Sequence, residues 1–214
     1  LLNMRRTLRR GSDQTLANNT LHLVQCKRHL LPFLAMDNEA FLVTDTPVSN
    51  RFNQSLMVDA QFMPFKQEAL LKRLTALGID APTFSHRPMH TVAEGEAVLR
   101  DRPGGRCKSL FLKDRKGALW LVVMLGEDRL NTGALQEKLG AARLSFGKPD
   151  LLRSVLGVEP GSVTPFAVIN ETAKAVQVVL QRRMMEVDLL NYHPLRNDAT
   201  TTISPIDLLK FLTA

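Results

Sequence analysis

Cys107-Lys108-Ser109-Leu110-Phe111-Leu112-Lys113-Asp114-Arg115-Lys116-Gly117-Ala118-Leu119-Trp120-Leu121-Val122-Val123-Met124-Leu125 carries the strongest structural signal in this 214-residue chain. Leu110, Phe111 and Leu112 give the segment Cys107 to Lys113 the look of a core strand, with a lysine at its mouth. Asp114-Arg115-Lys116-Gly117 has the composition of a hairpin turn. The unbroken apolar run Ala118 to Leu125 that follows has the length of a buried strand and falls far short of the roughly 20 residues that span a bilayer.

Working outward, Lys66 to Leu77 sets Ala69, Leu70, Leu74 and Leu77 on one helical face, with Gly78 as a stop. Thr91-Val92-Ala93-Glu94 is a capping-box pattern opening a second helix through about Arg100, and Pro103-Gly104-Gly105 breaks it. Beyond the hairpin, helices are expected at Thr132–Leu139 and Pro149–Leu156, the second ended by Gly157. Strands are expected at Phe166–Ile169, Ala175–Leu180, Met184–Asp188 and Thr200–Ile203. Ser204-Pro205-Ile206-Asp207 supplies an N-cap, an N1 proline and an acidic N3 for a last helix. Helices that alternate with hairpins, without strict strand–helix alternation, predict an α+β fold on a mixed sheet.

The first sixty residues read differently. Arg5-Arg6, Arg9-Arg10 and the polar stretch from Gly11 to Thr20 have no sustained periodicity, and Pro32 interrupts the apolar segment Leu21 to Leu34. We expect residues 1–56 to be a disordered extension or a misassigned start, and 57–214 to be the domain, with Met57 as its start. An Arg-rich, acid-poor beginning also fits a transit peptide. Cys26 and Cys107 are too few for a disulfide scaffold and lack metal-ligand spacing, so a reducing cytoplasm is the natural setting. A net charge of +7 suits a polyanionic partner without requiring one.

Several chemistries find no support. There is no Gly-rich phosphate loop ending in Lys-Ser/Thr, no His-Glu-x-x-His helix and no Cys-x-x-Cys pair. His86 and His90 are four apart, but Pro88 between them opposes the helix that would align them on a metal. No metal or cofactor is expected.

What remains is three short segments. Lys108 at a strand mouth can hold a compact positive charge over a cleft, or can merely snorkel into solvent. The loop Gly161-Ser162-Val163-Thr164-Pro165-Phe166 pairs a conformationally free residue with a stiffening one. It can aim bare backbone N–H groups at an acyl oxygen or a water, or simply connect two elements. In Asn191-Tyr192-His193-Pro194-Leu195-Arg196-Asn197, the proline holds His193 extended, either lining a pocket or satisfied at a sheet rim. Cys107 with His193 also invites a cysteine-hydrolase reading, although a free cysteine is most often a small buried hydrophobe.

In this order and spacing, the three segments resemble the YbaK-type aminoacyl-tRNA editing family: its lysine strand, its Gly-x-x-x-Pro loop and its His-Pro segment. The similarity runs from about residue 60 to the C-terminus, takes in Arg143-Leu144-Ser145-Phe146-Gly147, and is greatest to the family's freestanding Ala-tRNA(Pro) deacylases. The resemblance implies a partly barrel-like mixed sheet flanked by helices. It implies a trans-editing hydrolase in which water attacks the ester of mischarged Ala-tRNA(Pro), with no protein nucleophile. Lys108 and Gly161 would act at the ester, and Ser109, Pro165, His193 and Asn197 would bind substrate. The partner would be the acceptor end of mischarged tRNA, and by extension prolyl-tRNA synthetase, with no membrane. Removal of another amino acid, as from Cys-tRNA(Pro), and a noncatalytic tRNA-binding module of the same fold are the alternatives. The family's lysine is usually followed by asparagine; here Ser109 follows it.

Overall fold

The computed structural model describes residues 66–89, 92–100 and 102–214, together with four short strands nearer the N-terminus. Those strands are β1 (Val24–Cys26), β2 (His29–Leu31), β3 (Phe33–Leu34) and β4 (Phe41–Val43). Helix α1 (Gln67–Ala76), strand β5 (Thr83–Ser85) and helix α2 (Val92–Leu99) follow. Next come the long hairpin β6 (Gly105–Asp114) and β7 (Leu119–Leu125), then α3 (Thr132–Leu139), β8 (Leu144–Phe146) and α4 (Pro149–Leu156). The chain ends with β9 (Val176–Gln181), β10 (Leu190–Tyr192), β11 (Ala199–Ile203) and α5 (Pro205–Leu212).

One nine-stranded sheet runs β3-β4-β9-β7-β6-β10-β11-β5, with β8 on the edge of β6; β1 and β2 pair only with each other. The pairs β7–β9 and β6–β10 are parallel and the others antiparallel, so the sheet is mixed as expected. It is an open path. No pair joins its ends among the described residues, so the expected barrel-like character stops short of closure. Part of the segment read as an extension joins this sheet: Phe41, Leu42 and Val43 pair with Gln181, Leu180 and Val179. Apart from β1 to β4, residues 1–56 lie outside the described residues.

All seven residues of β7 are buried, which explains why its sequence is a continuous apolar run without alternation. Leu119, Leu121, Val123 and Leu125 face the larger core, where they meet Leu70 and Leu74 of α1, Leu152, Val155 and Leu156 of α4, and Phe211 of α5. Trp120 and Val122 face a smaller cluster with Leu112, Val179 and Leu135 of α3. Each such side chain contributes about 1.5–3 kcal/mol by leaving water.

The hairpin turn is tied by Asp114, whose carboxylate accepts the N–H groups of Lys116 and Ala118, both at 2.8 Å, and of Ala142 at 3.2 Å. Ser204 caps α5 as predicted: its Oγ accepts the Asp207 N–H at 3.1 Å. Of the capping box expected at 91–94, Thr91 lies outside the described residues.

Two expected strands are corrected. Pro165–Ile169 is a 3-10 helix, because Thr164 caps it through the Phe166 N–H and Pro165 sets its first turn. Arg182–Glu186 is also a 3-10 helix, with Met184 buried beneath it. Strands β5, β8 and β10, each three residues long, add to the expected set.

Candidate functional site

The sheet's parallel pairing decides where the motif residues meet. Leu190 pairs with Gly105 and Asn191 with Arg106, so His193 and Lys108 each follow two residues after the last pair of these neighbouring strands. Strand alternation settles the face. Leu190 and Tyr192 belong to the larger core, so Asn191 and His193 look out on the opposite face, which Lys108 shares.

Lys108 is half-buried. Its Nζ donates to the carbonyl of Gly126 at 3.1 Å and to the carbonyl of Asp128. An ammonium has three donors, so one is left, and no carboxylate among the described residues pairs with it. The loop that receives the lysine is itself fastened. The Asp128 carboxylate accepts Gln181 Nε2 at 2.7 Å and Arg183 Nη1 at 2.5 Å, and buried Gln181 accepts the Leu125 N–H at 2.9 Å. The ammonium is therefore a fixed positive charge whose position is set by main-chain dipoles.

Gly161 sits at φ 89°, after Pro160, in a turn closed by the Ser162 N–H donating to Glu159 O at 2.9 Å. Proline then a positive-φ glycine at the two central positions is the pattern of a type II turn, and explains why glycine is required. The Gly161 N–H meets no acceptor among the described residues. A Cβ at this position would lie 3.9 Å from Asn197 Nδ2, so the Gly161 turn and the loop after β10 stand face to face. Pro165 is buried at the start of its 3-10 helix, below the turn.

The loop from His193 to Asp198 is held on several sides. His193 Nδ1 donates to Ala199 O at 3.1 Å, which leaves Nε2 as the acceptor of the neutral ring. Burial lowers the pKa of His193 below its ordinary value, and the nearby His86 acts in the same direction. Asn197 exchanges main-chain and side-chain bonds with Met89: the Met89 N–H donates to Asn197 O at 3.2 Å and Asn197 Nδ2 to Met89 O at 3.4 Å. Pro194 is buried, and Leu195 packs on the larger core with φ 69°, a left-handed conformation that a leucine adopts only at a cost. His86 Nε2 lies 2.9 Å from Thr200 Oγ1, and its ring centroid is 6.5 Å from that of His193.

The structure therefore sets the Gly161 turn against Asn197, in the loop that begins at His193, and that loop follows the strand paired with the start of β6, where Lys108 lies. It does not bring the Ser109 side chain there: alternation turns it to the other face, with Cys107 and Phe111. Cys107 is likewise separated from His193. Its thiol packs beside Tyr192 on the larger core, and burial pushes its pKa up to about 11, which disfavours the thiolate. A cysteine–histidine pair has neither the geometry nor the nucleophile. His90 lies outside the described residues, and no group of three or more His, Cys, Asp or Glu that could hold a metal occurs among them.

The residues missed from sequence are Met89, His86, Gly126 and Asp128. The first two reach the site only because β5 pairs with β11, and the latter two act through main-chain carbonyls that any residue would supply.

Residues 86–211 match the family model for the aminoacyl-tRNA editing domain. The prolyl-tRNA editing protein ProX of Acetoanaerobium sticklandii is 32% identical over 149 residues, covering 69% of this chain and 91% of that protein. Prolyl-tRNA synthetase associated domain-containing protein 1 of Danio rerio is 36% identical over 147 residues, covering 68% of this chain and 78% of that protein. Among solved structures, that of hypothetical protein APE2540 superposes with a TM-score of 0.59 at 23% identity, over 70% of this chain and 95% of that one, a likeness of fold.

Proposed function

The chain belongs to the aminoacyl-tRNA editing domain family and is an aminoacyl-tRNA deacylase, and from that premise we propose that it hydrolyses the ester of alanine mischarged on a prolyl tRNA. The observation that carries this reading is the unspent pair of donors. The Gly161 N–H and one N–H of Lys108 have no protein partner among the described residues, and this reading takes both as donors to one bound aminoacyl end.

An aminoacyl ester is already activated, so positioning and charge stabilisation suffice for its hydrolysis. Water adds to the acyl carbon, and the Gly161 N–H donates to the oxyanion that forms. The bond to the ribose oxygen then breaks, and that oxygen leaves with a proton. The Lys108 ammonium, held by the Gly126 and Asp128 carbonyls, anchors the 3′-terminal end of the tRNA. His193 Nε2 and Asn197 border the amino-acid side. On this reading the amino-acid side has room for a methyl side chain and refuses a ring. This is the discrimination a synthetase cannot achieve by size, where a missing methylene is worth about 1–3 kcal/mol.

Purified protein incubated with Ala-tRNA(Pro), Cys-tRNA(Pro) and Pro-tRNA(Pro) tests the reading. We expect the alanyl ester to be cleaved at least about tenfold faster than the other two. Faster loss of cysteine would reassign the substrate. No cleavage of any would leave a tRNA-binding module.

A further inference from the structure

We propose that the main chain of Ser109 is the strand edge on which the aminoacyl group is held, a role that rests on the deacylase reading. The geometry is a break in the sheet. One edge of β6 is shared by two strands: β10 pairs with it as far as Arg106, and β8 pairs with it from Leu112 onward. One further bond, Gly147 N–H to Phe111 O at 2.9 Å, closes the β8 side.

The opposite edge shows which groups face this gap. The bonds Gly126 N–H to Arg106 O and Asp114 N–H to Ala118 O fix the hydrogen-bonded pairs of the β6–β7 ladder at even-numbered residues of β6. Ser109, opposite Val123, is a non-hydrogen-bonded position, so its N–H and its C=O both point away from β7 into the break. Neither strand of that edge reaches it.

Between these two pairings Ser109 offers one N–H and one C=O directed into the break, the two groups that a single extended residue would meet, and an aminoacyl group is one residue. In an antiparallel hydrogen-bonded pair, an extended residue gives its N–H to the partner's C=O and takes the partner's N–H on its own. An α-aminoacyl ester offers the same two groups: its ammonium donates to Ser109 C=O, and its acyl oxygen accepts from Ser109 N–H. Lys108 is the residue next to Ser109 on β6, and His193 follows two residues after the last β10 residue paired with that strand. This explains how serine can stand where the family usually has asparagine: the groups used belong to the backbone. It also makes the α-amino group, absent from an ordinary ester, part of recognition.

The test uses a non-hydrolysable probe, 3′-deoxy-3′-(alanylamino)adenosine, and amide hydrogen exchange read by NMR on the full chain. In the free protein, Ser109 N–H should exchange at least about tenfold faster than those of Lys108 and Leu110, which bond to β7. Saturating probe should slow Ser109 by about tenfold or more, and the propionylamino analogue, which lacks the amino group, should bind at least about tenfold more weakly. An already protected Ser109, unchanged exchange at saturation, no binding, or equal affinity for the two probes would each overturn the proposal. Protection of Ser109 by the probe in a protein that cleaves no ester would uphold the slot and remove the hydrolytic reading alone.

Discussion

The two ends of β6 treat charge in opposite ways. At the far end, Asp114 is 5% exposed and accepts three main-chain N–H groups, so its carboxylate is consumed by the hairpin it closes. At the near end, Lys108 gives two of its three donors to carbonyls of the loop after β7 and keeps the third. Both residues are positioned by backbone dipoles. Only one has bonding capacity left over. A charge whose partners saturate it supports structure, whereas a charge held in place but incompletely satisfied is set up to meet a ligand.

Replacing each residue in turn should split activity from stability. Lys108→Ala should lower kcat/KM for Ala-tRNA(Pro) by about a thousand-fold or more and leave the urea midpoint nearly unchanged. A Lys108→Ala variant that turns over normally would erase the contrast. Asp114→Ala should do the reverse: about 2–4 kcal/mol lost in denaturant unfolding, since three amides are left without their acceptor, with activity per folded molecule retained.

Gly161→Ala lies between these cases. Its φ of 89° makes any Cβ strained, and the added methyl faces Asn197 at 3.9 Å. It should slow deacylation by about tenfold and cost about 1 kcal/mol of stability. A purely stability effect would separate the turn from the chemistry.

The smallest effect is in pH. Burial holds His193 neutral, with its folded pKa below the ordinary 6.5. The unfolded chain therefore takes up a proton first as the pH falls. The stability contributed by the neutral ring is full above the unfolded value and is lost as the pH drops through the folded one. Urea midpoints measured from pH 8 to pH 5 should fall for the wild type and fall less for His193→Gln. Parallel curves would place the ring outside the titrating set.

How much of this was legible follows from which signals are local. The β6–β7 hairpin, α3, α4 and the Ser204 cap were readable because apolar runs, caps and turn residues act within a few positions. Phe166–Ile169 misled because a short apolar run is equally consistent with a buried strand and a buried helical turn; the proline ahead of it was the better guide. β5, β8 and β10 carry no periodicity in three residues each and exist because distant strands pair with them. Lys108, Gly161, His193 and Asn197 could be named from motif and resemblance. The break at Ser109 could not, since it is a property of where two other strands end.

The parallel pairing of β6 with β10 joins residue 105 to residue 190, across most of the domain's length. Contacts this remote in sequence form late, because the loop between them must be closed before any bond rewards it. During synthesis the hairpin with Lys108 emerges first, the Gly161 turn follows, and His193 and Asn197 come after both. A partly made chain thus carries the lysine without the residues that the proposed site would set around the charged tRNA.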